Sequence, residues 1–361
     1  MPFEGVSLSR SSVALRWLPN LVHDFTYSYH VANVALPVGE LVFGRGVFSL
    51  GFVFSRHKTY LDLGEQERTG EGGEVLGTFS SSMKAEAFTV GVRTQARFGK
   101  IPVDVSVGTT RKRAVQMLAG PETPGGKSSN VFRDHGVLVS VPLLFQKISP
   151  LTDRFGIAFT PSFGYSVSNI GDRIAFIDAA QADPSPRYLR IGLAWSAAVS
   201  DRSGWNIVLY RGGRAASDLL VGSSPPRDYQ RGLGDVSFMD HVIRNRPDTR
   251  VVVHRGHEWT FLDLLSLRSG RKIDHDGKIN LRTSGYGFRV KGILDILYYV
   301  FEEPAFQTMS DFVDVQYNVS KWSEAPDHPL NKTRYESVTF TVKNIEKLLA
   351  LVLEKVRSNP G

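Results

Sequence analysis

Two histidines and a glutamate stand close together in the stretch His254-Arg-Gly-His257-Glu258, a combination that could ligate a metal. Zinc peptidases place two histidines one helical turn apart, on the same face of a helix, with a glutamate close by. Here the histidines are three positions apart, and on a β-strand their side chains would point to opposite faces. The spacing therefore predicts strand-end histidines and no metal site.

The stretch Asp274-His-Asp-Gly277-Lys-Ile resembles the middle of a calcium-binding EF-hand loop. If Gly277 takes the sixth position of such a loop, Lys272 takes the first and Thr283 the twelfth, so both acidic ligands that calcium needs there are missing. Asp276-Gly277 is instead a pair favoured in tight hairpins, because glycine accepts a positive φ. We therefore predict a hairpin turn between two strands.

Other catalytic patterns are absent from the sequence. Residues 121–128, PETPGGKS, nearly match a phosphate-binding P-loop, but Pro121 replaces the first glycine and the stretch is interpreted as a polar loop. There is no Gly-x-Ser-x-Gly nucleophile elbow, and no spacing singles out an acid–base pair. The chain has no cysteine, which excludes disulfides and thiolate chemistry. We predict no catalytic residue, no metal and no cofactor, and hence a protein that is not an enzyme.

The charge of the chain is moderately basic, with 43 Lys+Arg against 36 Asp+Glu. The tightest basic cluster is Arg111-Lys-Arg113, so the excess is scattered and predicts no nucleic-acid partner. The most apolar run, 292–301, contains Asp295 and is far shorter than the roughly 20 residues of a membrane-spanning helix. No signal peptide precedes the first strand pattern.

The dominant pattern is an alternation of apolar and polar residues with period two, which is typical of β-strands with two different faces. In four segments the apolar positions fall on one face: Leu189, Ile191, Leu193, Trp195, Ala197 and Val199; Val313, Val315, Tyr317 and Val319; Phe25, Tyr27, Tyr29 and Val31; Trp205, Ile207 and Leu209. About 12–14 strands are predicted in one domain, residues 1–342, without a domain boundary. Strong helical patterning is recognised only in 343–361, an amphipathic C-terminal helix with Asn344 as its N-cap.

Two architectures produce this alternation, a soluble β-sheet protein and an antiparallel transmembrane β-barrel. In the barrel, apolar faces meet lipid and polar faces line the lumen, which makes Arg190, Asp314, Gln316 and Asn318 candidate ligand-binding residues. Aromatic residues near strand ends resemble the interfacial girdles of such barrels: Trp17, Tyr60, Tyr188, Trp205, Tyr210, Trp259 and Trp322. The same polar residues would be solvated on the outside of a soluble sheet.

Five segments, in order, resemble the outer-membrane β-barrel family of long-chain fatty-acid transporters and the PorV/PorQ proteins associated with type IX secretion. These are DHGVLVSVPLLF (134–145), PSFGYSVSNIGDRIAFID (161–178), DPSPRYLRIGLAW (183–195), the closing-hairpin segment 253–288, and DVQYNVSKW (314–322). The family's signal peptide and its plug segment with an Asn-Pro-Ala motif are not found, so the resemblance implies an N-terminally truncated chain.

The resemblance implies an all-β, antiparallel transmembrane barrel in the bacterial outer membrane. Its partners would be outer-membrane lipid and either hydrophobic small molecules, which it would pass, or secreted proteins, which it would assist as an accessory. The alternative that the residues leave open is a soluble all-β binding protein with a basic surface.

Overall fold

The structure is a computed structural model of the chain. It describes residues 6–16, 25–43, 46–69, 72–98, 101–117, 126–145, 155–171, 173–175, 182–201, 205–222, 228–230, 232–323, 333–345 and 347. Within these ranges the chain forms fifteen strands, two α-helices and a short π-helix.

The strands form one antiparallel sheet in which sequence neighbours pair, and the first strand pairs with the last. Their bounds are β1 (Val6–Arg16), β2 (Phe25–Phe43), β3 (Gly46–Thr69), β4 (Val75–Phe98), β5 (Ile101–Met117), β6 (Lys127–Ser140), β7 (Leu143–Phe145), β8 (Phe155–Gly171), β9 (Tyr188–Asp201), β10 (Asn206–Leu219), β11 (Val252–Phe261), β12 (Leu265–Asp274), β13 (Ile279–Arg289), β14 (Val313–Ser323) and β15 (Arg334–Val342).

The sheet closes on itself, so the fold is a β-barrel. β6 and β7 pair with successive parts of β8, as Ser140 opposite Ser162 and Leu143 opposite Phe159, and together they act as one strand of the wall. The described wall therefore has fourteen positions, which confirms the predicted all-β antiparallel barrel of about 12–14 strands. Closure matters because it pairs the backbone groups of both terminal strands and leaves no open sheet edge.

The connections alternate between two ends of the barrel. The end that carries the connections 17–24, 70–74, 118–126, 172–187, 220–251, 275–278 and 324–333 is called the long-loop end. The opposite end, called the short-turn end, carries the connections 44–45, 99–100, 146–154, 202–205, 262–264 and 290–312. Because β1 starts and β15 finishes at the short-turn end, both ends of the described chain lie there.

The two faces of the wall differ in exposure, and this identifies the inner face. On β3, Ser55 is buried while its neighbours Arg56 and Phe52 are exposed. Thr260, Ser266 and other residues in register with the Ser55 face are buried in the same way. Side chains converge inside a barrel and diverge outside it, so the face that includes Ser55 is the lumen face.

The alternation of β9 and β14 fits this assignment, because the apolar residues predicted for one face of each strand point outward. They are Leu189, Ile191, Leu193, Trp195, Ala197 and Val199 on β9, and Val313, Val315, Tyr317 and Val319 on β14. The expectation that apolar faces meet lipid is wrong for two other segments. In β2, Tyr29 faces inward, where its hydroxyl lies 2.7 Å from His57 Nδ1. In β10, Leu209 is buried on the inner face opposite Thr260. Alternation creates two faces, and only closure of the sheet decides which of them is inside.

A helical hairpin connects β13 to β14 at the short-turn end, where no helix was predicted. It consists of α1 (Val290–Phe301) and α2 (Pro304–Phe312). Lys291 forms ion pairs with Asp295 and, at 3.6 Å, with Asp263 of the neighbouring turn. No helix among the described residues is long and apolar enough to cross a membrane.

The predicted C-terminal helix lies almost entirely outside the described residues. Within them, Ile345 and Lys347 are helical, and the Lys347 amide donates to the Asn344 carbonyl at 2.9 Å. Asn344 does not have the extended backbone of an N-cap, since its φ is 49° and its side-chain amide donates to the Asp311 carbonyl at 3.1 Å.

The connection from β10 to β11 folds back over the outside of the wall. Its π-helix, Phe238–Ile243, lies over β8–β10, and Val236, Val242 and Val251 pack on outward-facing Leu189 and Ile191. This cluster is the main buried apolar core of the described chain. It covers apolar side chains of the outer wall near the long-loop end, which would otherwise remain exposed.

The stretch around Gly277 is the predicted hairpin turn, between β12 and β13. The positive φ falls on Lys278, at 51°, and not on Gly277. Gly277 contributes to the turn through its amide, which donates to Asp274 Oδ1 at 2.9 Å, and a Cβ there would crowd the same carboxylate, at 2.9 Å from Oδ2. The segment 253–288 was predicted to be the closing hairpin, but it contains three strands, and the barrel closes between β1 and β15.

Candidate functional site

A cavity of about 750 Å³ is bordered by eight strands, β3–β6 and β8–β11. Only the inner face of a closed sheet can bring strands so far apart around one space, so this cavity is part of the lumen. Most of its lining residues belong to the inward face identified above.

Glycines keep the cavity open. Gly91, Gly108 and Gly136 stand directly opposite one another on β4, β5 and β6, and Gly164 stands opposite Gly192 on β8 and β9. All five face inward and border the cavity. Because a glycine adds no side chain to the lumen, this part of the wall is reduced to backbone, which makes room for a ligand.

The polar groups of the cavity come mainly from Arg93, Arg190, His254 and a few serines. Arg93 is neutralised by Asp104, with Nη2 and Oδ2 2.7 Å apart. His254 Nε2 lies 3.2 Å from the hydroxyl of Ser217. Arg190, in contrast, forms no ion pair with any described carboxylate. The cavity is therefore mostly apolar and carries one uncompensated positive charge.

A second group of inward residues forms a polar network toward the short-turn end. Glu258 pairs with Arg211, at 3.0 Å between Nη1 and Oε1, and with Arg268. Arg268 also donates to Asn318 Oδ1, which accepts from Gln316 Nε2 at 3.0 Å as well. The network joins β10, β11, β12 and β14 across the inner wall.

The four residues predicted to face the lumen all do so, but at different places. Arg190 borders the cavity. Gln316 and Asn318 belong to the polar network, and Asp314 pairs with Arg289 and, at 3.4 Å, with Lys343. The polar groups of these three residues thus hold wall strands together, and the structure does not bring them to the cavity. A ligand-binding role stays a prediction for all four.

The two histidines of the 254–258 stretch lie on opposite faces of β11, with His254 inside and His257 exposed outside. Among the described residues no group of three His, Cys, Asp or Glu side chains could hold a metal ion. Sequence reasoning missed the contribution of His254 to the cavity, and the inward glycines as well. The signal of the glycines was their position opposite one another on neighbouring strands, which is visible only once the register is known.

The predicted aromatic girdle is found in part. Tyr210 and Trp259 face outward on neighbouring strands with their ring centroids 4.6 Å apart. Trp322 faces inward and packs against Tyr335, at 4.7 Å between centroids, so its placement in an outer girdle is wrong. Trp205 packs against Tyr299 of α1 at the short-turn end. Trp17 lies outside the described residues.

Comparison with known proteins assigns no family, since no family model and no curated protein matches the chain. Solved structures that are similar include the transport unit of the autotransporter AIDA-I from Escherichia coli, at 9% identity, a TM-score of 0.37 and coverage of 94% of this chain and 88% of that chain. The toluene transporter TodX from Pseudomonas putida is similar at 10% identity, a TM-score of 0.35 and coverage of 94% and 88%. OccAB1 from Acinetobacter baumannii is similar at 8% identity, a TM-score of 0.37 and coverage of 94% and 95%.

Identities and TM-scores this low carry no argument about function. The assignment of a barrel rests on the pairing of the chain's own strands, and membership of the fatty-acid transporter and PorV/PorQ family stays a prediction.

Proposed function

We propose that this chain is a β-barrel of the bacterial outer membrane that binds and passes small, mostly apolar molecules carrying an anionic group. Insertion in a membrane is supported by the outer wall, which exposes large apolar side chains on nine of its strands: Phe52, Val92, Val107, Ile157, Trp259, Leu267, Phe288, Tyr317, Val338 and Phe340. A soluble protein rarely leaves so extended an apolar surface in water. This observation favours the membrane barrel over the soluble binding protein.

The observation that carries the ligand class is Arg190 in the glycine-lined cavity. An arginine without a carboxylate partner, beside an apolar space of about 750 Å³, fits a ligand with an apolar body and a carboxylate end. The family resemblance, which includes fatty-acid transporters, supports the same class of cargo.

The test compares octanoate with octanol, which have the same chain length but differ in charge. Binding is measured by calorimetry with the barrel in lipid nanodiscs, and empty nanodiscs are the blank. We expect octanoate to bind more tightly than octanol. Arg190→Gln should weaken octanoate binding about tenfold or more, because a hydrogen bond to a charged group contributes roughly 1.5–3 kcal/mol, and should leave octanol binding unchanged.

The matched control is Arg133→Gln, which removes an exposed arginine from the outward face of β6. This change should leave octanoate binding unaltered. Equal binding of octanoate and octanol to the unmodified barrel, or equal losses in the two variants, would reject the proposed ligand class.

The second candidate is an accessory role in protein secretion, which the family resemblance also implies. Its support is the apolar surface of the α1–α2 hairpin, where Tyr299, Val300 and Phe301 are each more than 60% exposed. A protein partner bound there should protect the hairpin from hydrogen exchange, and loss of partner binding in a Val300→Asp variant is the corresponding test.

A further inference from the structure

Four arginines stand side by side on the outside of the wall. Arg214 of β10 is directly opposite Arg255 of β11, which is opposite Arg271 of β12, which is opposite Arg282 of β13. They point outward, because Arg255 and Arg282 each lie four residues from an outward aromatic side chain of the same strand, Trp259 and Tyr286 respectively. We call these four residues the arginine row.

No described carboxylate forms an ion pair with any member of the arginine row. Two of the four guanidinium groups have neutral partners: Arg214 donates to the Ile243 carbonyl, and Arg271 Nε donates to Asn280 Oδ1 at 2.9 Å. Like charges directly opposite each other on neighbouring strands destabilise a sheet. Three consecutive arginine–arginine pairs therefore destabilise the sheet locally, and a bound anion would remove this repulsion.

The surroundings of the arginine row indicate where that anion comes from. On the same four strands, Tyr210, Trp259, Leu267 and Tyr286 form another row in register, four residues nearer the short-turn end. With a rise of about 3.4 Å per residue, the two rows are roughly 13 Å apart along the strands. The arginines thus follow the aromatic side chains after one row of small and polar residues, Gly212, His257, Ser269 and Ser284.

The arginine row also lies beside the folded-back connection. On its long-loop side come Ala216 and Val253, and the connection begins to cover the wall there. The π-helix exposes Met239 at 53% and Phe238 at 37%, and the Phe238 ring packs edge-on against Phe163 of β8, at 6.0 Å between centroids. A short element with exposed apolar side chains next to arginines that have no carboxylate partner is typical of a protein surface at the level of lipid headgroups.

We propose that the arginine row binds the phosphates of a membrane lipid that carries more than one phosphate. This inference rests on the proposed insertion in a membrane. Neighbouring strands lie about 4.8 Å apart, so the four arginines extend over roughly 14 Å, which is long enough for two phosphate groups. Arginine presents a planar fork of donors to phosphate, and such charge-assisted bonds are stronger than neutral ones.

The experiment uses the full chain in phosphatidylcholine nanodiscs that contain a small fraction of diphosphoryl lipid A. Retained lipid is counted by native mass spectrometry. Monophosphoryl lipid A, with the same acyl chains and one phosphate fewer, is the matched lipid, and inorganic pyrophosphate in the buffer tests a free anion. We expect diphosphoryl lipid A to be retained at least tenfold better than phosphatidylcholine, and better than the monophosphoryl form.

The test variant is Arg255→Gln with Arg271→Gln, which should lower retention of diphosphoryl lipid A about tenfold. The control variant is Arg56→Gln with Lys58→Gln, since these outward residues already have Glu86 as a partner. The control should retain the lipid normally.

Three results would overturn the proposal: no preference for diphosphoryl lipid A, equal losses in both variants, or displacement of the lipid by pyrophosphate at equal concentration, which would indicate a site for free anions. Insertion into nanodiscs of pure phosphatidylcholine is measured first. A barrel that inserts but shows no preference contradicts only the lipid site, whereas a chain that does not insert contradicts the membrane function and the lipid site together.

Discussion

At the scale of single residues, Gly287 leaves the space in which two polar side chains of the inner wall meet. It lies on β13, between Arg268 of β12 and Asn318 of β14, whose side chains meet across it. A Cβ at this position would lie 2.5 Å from Asn318 Oδ1 and 3.2 Å from Arg268 Nη1. The network of the inner wall therefore depends on a glycine that takes no polar part in it.

We expect Gly287→Ala to break the contact between Arg268 and Asn318 and to lower the free energy of unfolding by about 1.5–3 kcal/mol, the usual contribution of a hydrogen bond to a charged group. The measurement is urea unfolding of the barrel in detergent, followed by tryptophan fluorescence. Gly256→Ala is the control, because its nearest neighbour to a new Cβ is Ser269 O at an ordinary 3.4 Å. A Gly287→Ala variant as stable as the control would show that the network contributes little.

At the scale of elements, the folded-back connection is the part of the fold with a globular core. Val242 is fully buried and packs with Val251 against Leu189 and Ile191. The Ser237 hydroxyl accepts from the Asp240 amide at 3.3 Å and so caps the start of the π-helix. Arg244 beside Asp240 holds the pKa of that carboxyl below its usual range, and the Ser237 hydroxyl lowers it further. The segment is thus fixed to the wall by packing and at its start by polar contacts.

We expect Val242→Asp to detach this segment from the wall without unfolding the barrel, since a buried unpaired charge is strongly destabilising where it lies. Limited trypsin digestion should then cut after Arg244, whereas the bond after Arg246 resists trypsin because Pro247 follows it. Met239→Asp is the control, because that side chain is exposed and its replacement should leave the segment protected.

Protease resistance of the Val242→Asp variant would contradict the core described for this segment. Loss of the folded barrel in the same variant would show that the segment supports the whole wall.

At the scale of the whole molecule, the pairing of β1 with β15 makes the sheet a closed barrel. Nine consecutive residue pairs join these strands, from Leu8 opposite Val342 to Arg16 opposite Arg334. Closed barrels resist detergent because all of their strands are paired with neighbours.

We predict that the purified chain migrates differently on detergent gels before and after boiling, because the closed barrel stays compact in detergent until heated. A chain that ends before Arg334 lacks β15 and cannot close, so it should show one migration only. A full-length chain that is monomeric and soluble without detergent would contradict the membrane barrel.

The sequence by itself determined the strand-rich architecture, the hairpin at 274–279 and the position of Arg190, Asp314, Gln316 and Asn318 on the polar faces of their strands. Period-two alternation is a local property, because successive side chains of a strand point to opposite faces wherever the strand lies. The local pattern could not identify α1 as a helix, since a short apolar run fits a buried strand or a helix equally well.

Only the tertiary structure decided which face is the lumen and which residues meet there. Leu209 and Trp322 face inward, although large apolar side chains favour lipid. Closure of the sheet places the odd-numbered residues of β10 and the even-numbered residues of β14 inside. The glycine-lined cavity, the arginine row and the core under the folded-back connection all depend on register between strands. Register is set by pairing along the whole sheet, and no single stretch of sequence contains it.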